Sequence, residues 1–161
     1  MFLIRKINEA KWFQIEIMED NDVSADAITN CLKTTKNTLS VWHIENNNDI
    51  NKAVLAIASS LEHIETIDIV VLTTESLREY DISIIASSGN TPIESLKEIH
   101  RDLSELTFSK LGHIKEHIVE RIRNDNLKRY TKGKLKKILL EAIDKGILEF
   151  KDLNNSVRNK L

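Results

Sequence analysis

The chain has one cysteine, one proline and four glycines in 161 residues. With Cys31 alone, neither an intrachain disulfide nor a thiolate zinc cluster can form, and a reducing, cytoplasmic setting is expected. So few glycines and prolines leave little material for long irregular loops. Long hydrophobic runs are missing too. Stretches such as Ile69 to Leu72 fall far short of the roughly 20 residues that a membrane helix requires, so no membrane role is expected. Three apolar residues between Met1 and Arg5 are too few for a signal-peptide core. Neither G-x-G-x-x-G nor a Walker-type loop occurs, so no nucleotide cradle and no cofactor are expected.

What remains is an ordinary globular composition, 41% hydrophobic and 30% charged. The length suits one domain, with roughly two-thirds of the unfolded surface buried on folding. A break near residue 109 would divide an α/β part, 1–109, from a helical part, 110–161. No internal repeat or Gly/Pro/Ser-rich linker marks such a break.

Periodicity gives the elements. Residues 2–7 suggest a short strand, whereas Trp12, Phe13, Ile15 and Ile17 fit strand and helix alike. Ser24 can cap a helix that carries Ala27, Ile28, Cys31 and Leu32. Cys31 then reads as a small core hydrophobe. Strands are predicted at 38–45, 67–72 and 82–86, with helices at 50–62 and 74–80 between them. Trp42 and His43 lie on opposite faces of the first of these. The near-continuous run 67–72 suits a strand covered on both sides. Thr91, Pro92 and Glu94 resemble a helix start, and Ile93, Leu96, Ile99, Leu103 and Leu106 continue at helical spacing. Ile114, Ile118 and Ile122 suggest a further helix, and 132–145 another, stopped by Gly146. Alternating strands and helices predict an α/β fold: a small, mainly parallel sheet with crossover helices, then a helical C-terminal half.

Charge is segregated along the chain. Residues 1–109 hold 9 Lys and Arg against 18 Asp and Glu, a net of −9, whereas 110–138 hold 10 against 3, a net of +7. This asymmetry has three readings: basic helices docked on the acidic body, a footprint for nucleic acid, or an acidic face that docks a basic protein partner. The nucleic-acid footprint would use Lys128, Arg129, Tyr130, Lys132, Lys134, Lys136 and Lys137, cations for phosphates and a ring for stacking. A pI near 6.2 argues against it. A helix–turn–helix over 113–145 fails on its connection, 124–131, which exceeds the usual turn.

Catalytic motifs are sparse. His113-Ile114-Lys115-Glu116-His117 fits H-x-x-E-H, in which His113 and His117 could share a metal and Glu116 act as base, with Glu141, Glu149 or His100 as third ligand. The apolar face of that helix leaves both rings on a solvated flank. His100-Arg101-Asp102 copies a kinase catalytic loop but lacks its other parts, and the helical spacing instead pairs Arg101 with Glu105. Asp20 to Asp26 resembles a calcium loop, yet Ala25 and Cys31 stand where glycine and glutamate are required. Ser87 to Thr91 joins a strand end to a helix start, where free amides could hold an anion.

These readings favour a small cytoplasmic binding or regulatory protein that contacts another macromolecule, most plainly a protein. A neutralising or accessory subunit of a toxin or defence system fits this description. A nucleic-acid binder and a metal-dependent hydrolase are the alternatives.

Overall fold

Among the described residues, six segments hydrogen-bond into one sheet: β1 (Phe2–Ile7), β2 (Leu39–Ile44), β3 (Ile67–Thr73), β4 (Ser83–Ala86), β5 (His100–Ser104) and β6 (Leu127–Tyr130). Their spatial order is β4-β5-β2-β1-β3-β6. The structure is a computed structural model and describes residues 1–12 and 22–161. Phe13, Ile15 and Ile17, left open between strand and helix, lie outside the described residues, as do Asp20 and Asn21 of the calcium-loop resemblance.

Every neighbouring pair of strands is antiparallel, which overturns the expected mainly parallel sheet. The reason lies in which strands were legible. β2, β3 and β4 do run in one direction, as strand–helix–strand alternation implies. β1 is inserted between β2 and β3, and β5 between β4 and β2, each running the other way. β6 closes the far edge in that same opposite direction. The expected helical part, 110–161, is corrected too, because β6 is a strand within it, and β5 is a strand where the spacing through Leu103 predicts helix.

Helices cover both faces, as the apolar run of β3 requires. Its residues Ile67 to Leu72 are all buried, Ile69 and Val71 toward one face and Val70 and Leu72 toward the other. Full burial of one such side chain contributes about 1.5–3 kcal/mol. On the first face lie α2 (Ile50–Ser59), α4 (Glu94–Lys97), α6 (Lys132–Asp144) and α7 (Asn155–Arg158). The alanines Ala53, Ala56 and Ala58 bring α2 close to the sheet. The second face carries α1 (Ala25–Cys31), α3 (Thr74–Glu79) and α5 (Phe108–Arg123). Among the described residues no helix is long and apolar enough to cross a membrane.

Caps explain where α1, α5 and α6 begin. Ser24, Thr107 and Thr131 each accept a backbone N–H of the first turn. The expected start at Thr91 is displaced: its Oγ1 accepts the amide of Ile93 and lies 2.9 Å from Ser59 Oγ, so α4 opens only at Glu94. α4 is one turn long because the chain enters β5 three residues later.

Candidate functional site

The predicted basic footprint is divided between the edge strand β6 and α6. Arg129 forks onto Asp68, with Nε 2.8 Å from Oδ1 and Nη2 3.2 Å from Oδ2. Asp68 is 4% exposed and also accepts the amide of Glu9 at 3.1 Å, so Arg129 neutralises a buried carboxylate. That hydrogen bond and charge hold the Arg129 pKa above its usual value. Tyr130 donates its hydroxyl to Asn51 Oδ1 at 3.2 Å, and burial raises its pKa. Lys136 donates to the carbonyl of Lys160, and Lys137 lies 3.9 Å from Glu141. Only Lys128, Lys132 and Lys134 of the seven make no ion pair or side-chain hydrogen bond among the described residues. Lys132 and Lys134 occupy the first turn of α6, where the helix dipole disfavours cations.

The two candidate metal ligands serve separate contacts. The His113 ring stacks on Tyr80, with centroids 3.8 Å apart. His117 is buried, not solvated, at 5% exposure, because α5 crosses the end of β3 beside α3. Its Nε2 accepts the amide of Thr73 at 3.1 Å, so the ring proton sits on Nδ1, 3.5 Å from Glu120 Oε2. Burial pushes the His117 pKa down, partly opposed by Glu120. A metal at Nε2 would have to displace the Thr73 amide. Among the described residues no group of three His, Cys, Asp or Glu is placed to hold a metal ion.

Most amides of the 87–93 loop are already engaged. Ser87 donates to the His100 carbonyl at 3.4 Å, Gly89 to Lys97 at 3.1 Å and Thr91 to Gly89 at 3.1 Å. The expected anion cradle therefore lacks those free donors. His100 and Asp102 lie on β5 and not in a helix. Arg101 donates to the carbonyls of Glu98 and His100 while Glu105 accepts from Ser83, so the expected Arg101–Glu105 pair does not form. The Ser87 hydroxyl meets His100 Nδ1 at 2.7 Å, and His100 packs edge-on against Trp42. Burial lowers the His100 pKa, which keeps Nδ1 free to accept that hydroxyl proton.

No family model, curated protein or solved structure matches the chain.

Two further features emerge from the geometry alone. A cleft of about 470 Å³ is lined by Arg5, Lys6, Lys11, Asp68 and Arg129, among others. Arg5 is committed within it: Nη2 and Nε reach the Cys31 carbonyl at 2.7 and 3.2 Å, and Nη1 the Ser40 carbonyl at 2.7 Å. The guanidinium thus caps the C-terminus of α1, and burial lowers its pKa to about 10.

The second feature is the contrast between the two sheet edges. β6 carries Lys128 and Arg129, the charges with which edge strands resist pairing. β4 carries none. Residues 82–93 contain no Asp, Glu, Lys or Arg, although charged residues make up 30% of the chain. Ile85 is 46% exposed, Ala86 is exposed, and Phe108 at the start of the nearby α5 is 89% exposed. The uncharged run was visible in the sequence. Its position at an open edge was not, because that follows from the strand order.

Proposed function

We propose that the chain is a protein-binding module, in the manner of a neutralising or accessory subunit, and that it contacts its partner along the β4 edge. The observation that carries this reading is the uncharged, half-exposed strand Ser83–Ala86 at the open side of the sheet. Among the described residues nothing pairs with the outer side of β4, so it presents free backbone groups with no charged residue of its own to repel an incoming chain. The exposure of Ile85 and Ala86 on that strand supports the same surface. A reducing compartment such as the cytoplasm suits the free thiol of Cys31.

The test is co-expression with the products of adjacent genes, followed by size-exclusion chromatography with light scattering. A stoichiometric complex that Ile85→Lys abolishes supports the reading. A complex unaffected by that substitution, or none with any neighbour, overturns it.

A second reading has one observation in its favour: the unpaired Lys128, Lys132 and Lys134 at the other edge. Under it, binding to single-stranded nucleic acid would fall steeply with salt and be lost when these lysines become Glu. Arg129, tied to Asp68, would contribute little.

A further inference from the structure

We infer that the β4 edge recognises its partner by strand addition, and that the added strand belongs to a different protein and carries basic residues at its ends. This rests on the protein-binding reading and specifies how that surface works.

The backbone sets the geometry. The amide of Ser87 donates to the His100 carbonyl, which turns Ser87 toward β5. Strand alternation turns Ile85 and Ser83 the same way, opposite Asp102 and Ser104. Ile84 and Ala86 therefore direct their N–H and C=O groups away from the sheet. An incoming extended chain can bond to both residues without disturbing the β4–β5 ladder. The side chain of Ile85 would then gain a neighbour across the new strand pair.

The surroundings choose the partner. Glu105 holds the Ser83 end, and Asp102 lies directly opposite Ile85. Glu94 and Glu98 line a cleft of about 410 Å³ beside Ala86, Ser87 and Ser88. Glu98, Asp102 and Glu105 make no ion pair among the described residues, whereas the nearby Lys97 is paired with Glu94 at 2.6 Å. Arg101 is turned to backbone carbonyls. An uncharged strand bordered by unpaired carboxylates favours an uncharged strand bordered by cations. The same border weighs against a second copy, which would bring one set of carboxylates toward another.

The experiment uses the full chain and two fluorescent peptides of alternating valine and threonine, one with lysines and one with glutamates at both ends. Fluorescence anisotropy reads their binding. The lysine peptide is expected to saturate, to bind at least about tenfold more tightly than the glutamate peptide, and to weaken with added salt. Ala86→Pro removes an outward N–H and should lower that affinity at least about tenfold, with the fold checked by thermal melting. If Ala86→Pro does not fold, Ile85→Lys at an exposed side chain replaces it, with the same loss expected. Equal binding of the two peptides, or full binding by a folded edge variant, overturns the inference. A light-scattering mass of a dimer that Ala86→Pro reduces to a monomer also overturns it, in favour of a second copy. A neighbour-encoded complex that Ile85→Lys abolishes but Ala86→Pro leaves intact would sink strand addition and leave the protein-binding reading standing. Peptide binding without any such complex would overturn the protein-binding reading and, with it, the inference that a partner protein supplies the strand.

Discussion

Gly89 follows β4 by three residues, and it is expected to tolerate no side chain. A Cβ placed on it would lie 2.5 Å from Trp42 Cη2, 2.8 Å from Cζ3 and 2.9 Å from His100 Cβ. None of these atoms is the loose end of a flexible chain. The indole is buried in the core and packs on the His100 ring, and the His100 Cβ is fixed to the backbone of β5. Gly89→Ala must therefore move the loop or the indole, and overpacking of this kind costs about 1–3 kcal/mol. In a chain of this length that lowers the melting temperature by roughly 2–4 °C per kcal/mol. Gly112 supplies the control. It lies within α5, where a new Cβ meets nothing within 4 Å, so Gly112→Ala should stabilise by about 0.5–1 kcal/mol through helix propensity alone. Urea unfolding of the two variants beside the parent reads both signs. A Gly89→Ala chain within about 0.5 kcal/mol of the parent would refute the packing argument.

Two other substitutions and one labelling experiment probe the interior. His117 has its pKa lowered in the fold, chiefly by burial, so the fold favours its neutral form. Its contribution is complete above the unfolded value of about 6.5 and is lost as the pH falls from there through the folded pKa. The urea midpoint should drop on acidification, and His117→Gln should flatten that drop; an unchanged slope would rule the residue out as its source. Asp68→Asn weakens the fork with Arg129 and is expected to destabilise by about 1–3 kcal/mol in the same assay, with no change if the pair is idle. Cys31, 4% exposed with its Sγ accepting the amide of Asn8, should react with a thiol reagent only on unfolding, and rapid native labelling would contradict its burial.

Legibility in the sequence followed the chemistry of each strand. β2 and β3 are apolar and β-branched, and their burial on both faces is written into their composition. β5 is not. Its sequence, His-Arg-Asp-Leu-Ser, buries His100 and Ser104 toward one face and Leu103 toward the other, so no apolar alternation appears. The polar ones are accommodated by neighbours remote in sequence: His100 bonds to Ser87 and packs on Trp42. The helical spacing through Ile93, Leu96, Leu103 and Leu106 is a coincidence of two cores. Ile93 and Leu96 pack with α2 on one side of the sheet, and Leu103 and Leu106 with α5 on the other. β6 is a half-exposed edge with two cations, which composition alone cannot separate from a turn. Losing β5 and β6, and not weighing β1 as an inner strand, removed every strand of one direction.

Charge was legible as a total but not as an arrangement. The expected choice lay between basic helices docked on an acidic body and a surface left over. Among the ion pairs described, Arg129 and Lys110 are the cations of residues 110–138 that reach carboxylates of residues 1–109. Others bond elsewhere: Arg121 to the carbonyl of Val71, Lys136 to that of Lys160, Lys137 to Glu141 in its own helix. Among the described ion pairs, docking of the basic stretch on the acidic body is therefore confined to Arg129 and Lys110. The fold carries the segregation of charge to the rims of the sheet, where Lys128 and Arg129 guard β6 while carboxylates border a β4 that has no charge of its own. An aggregation-prone edge without a guard is a liability that a monomer has reason to remove. Its presence beside unpaired carboxylates is accounted for if something basic normally covers it.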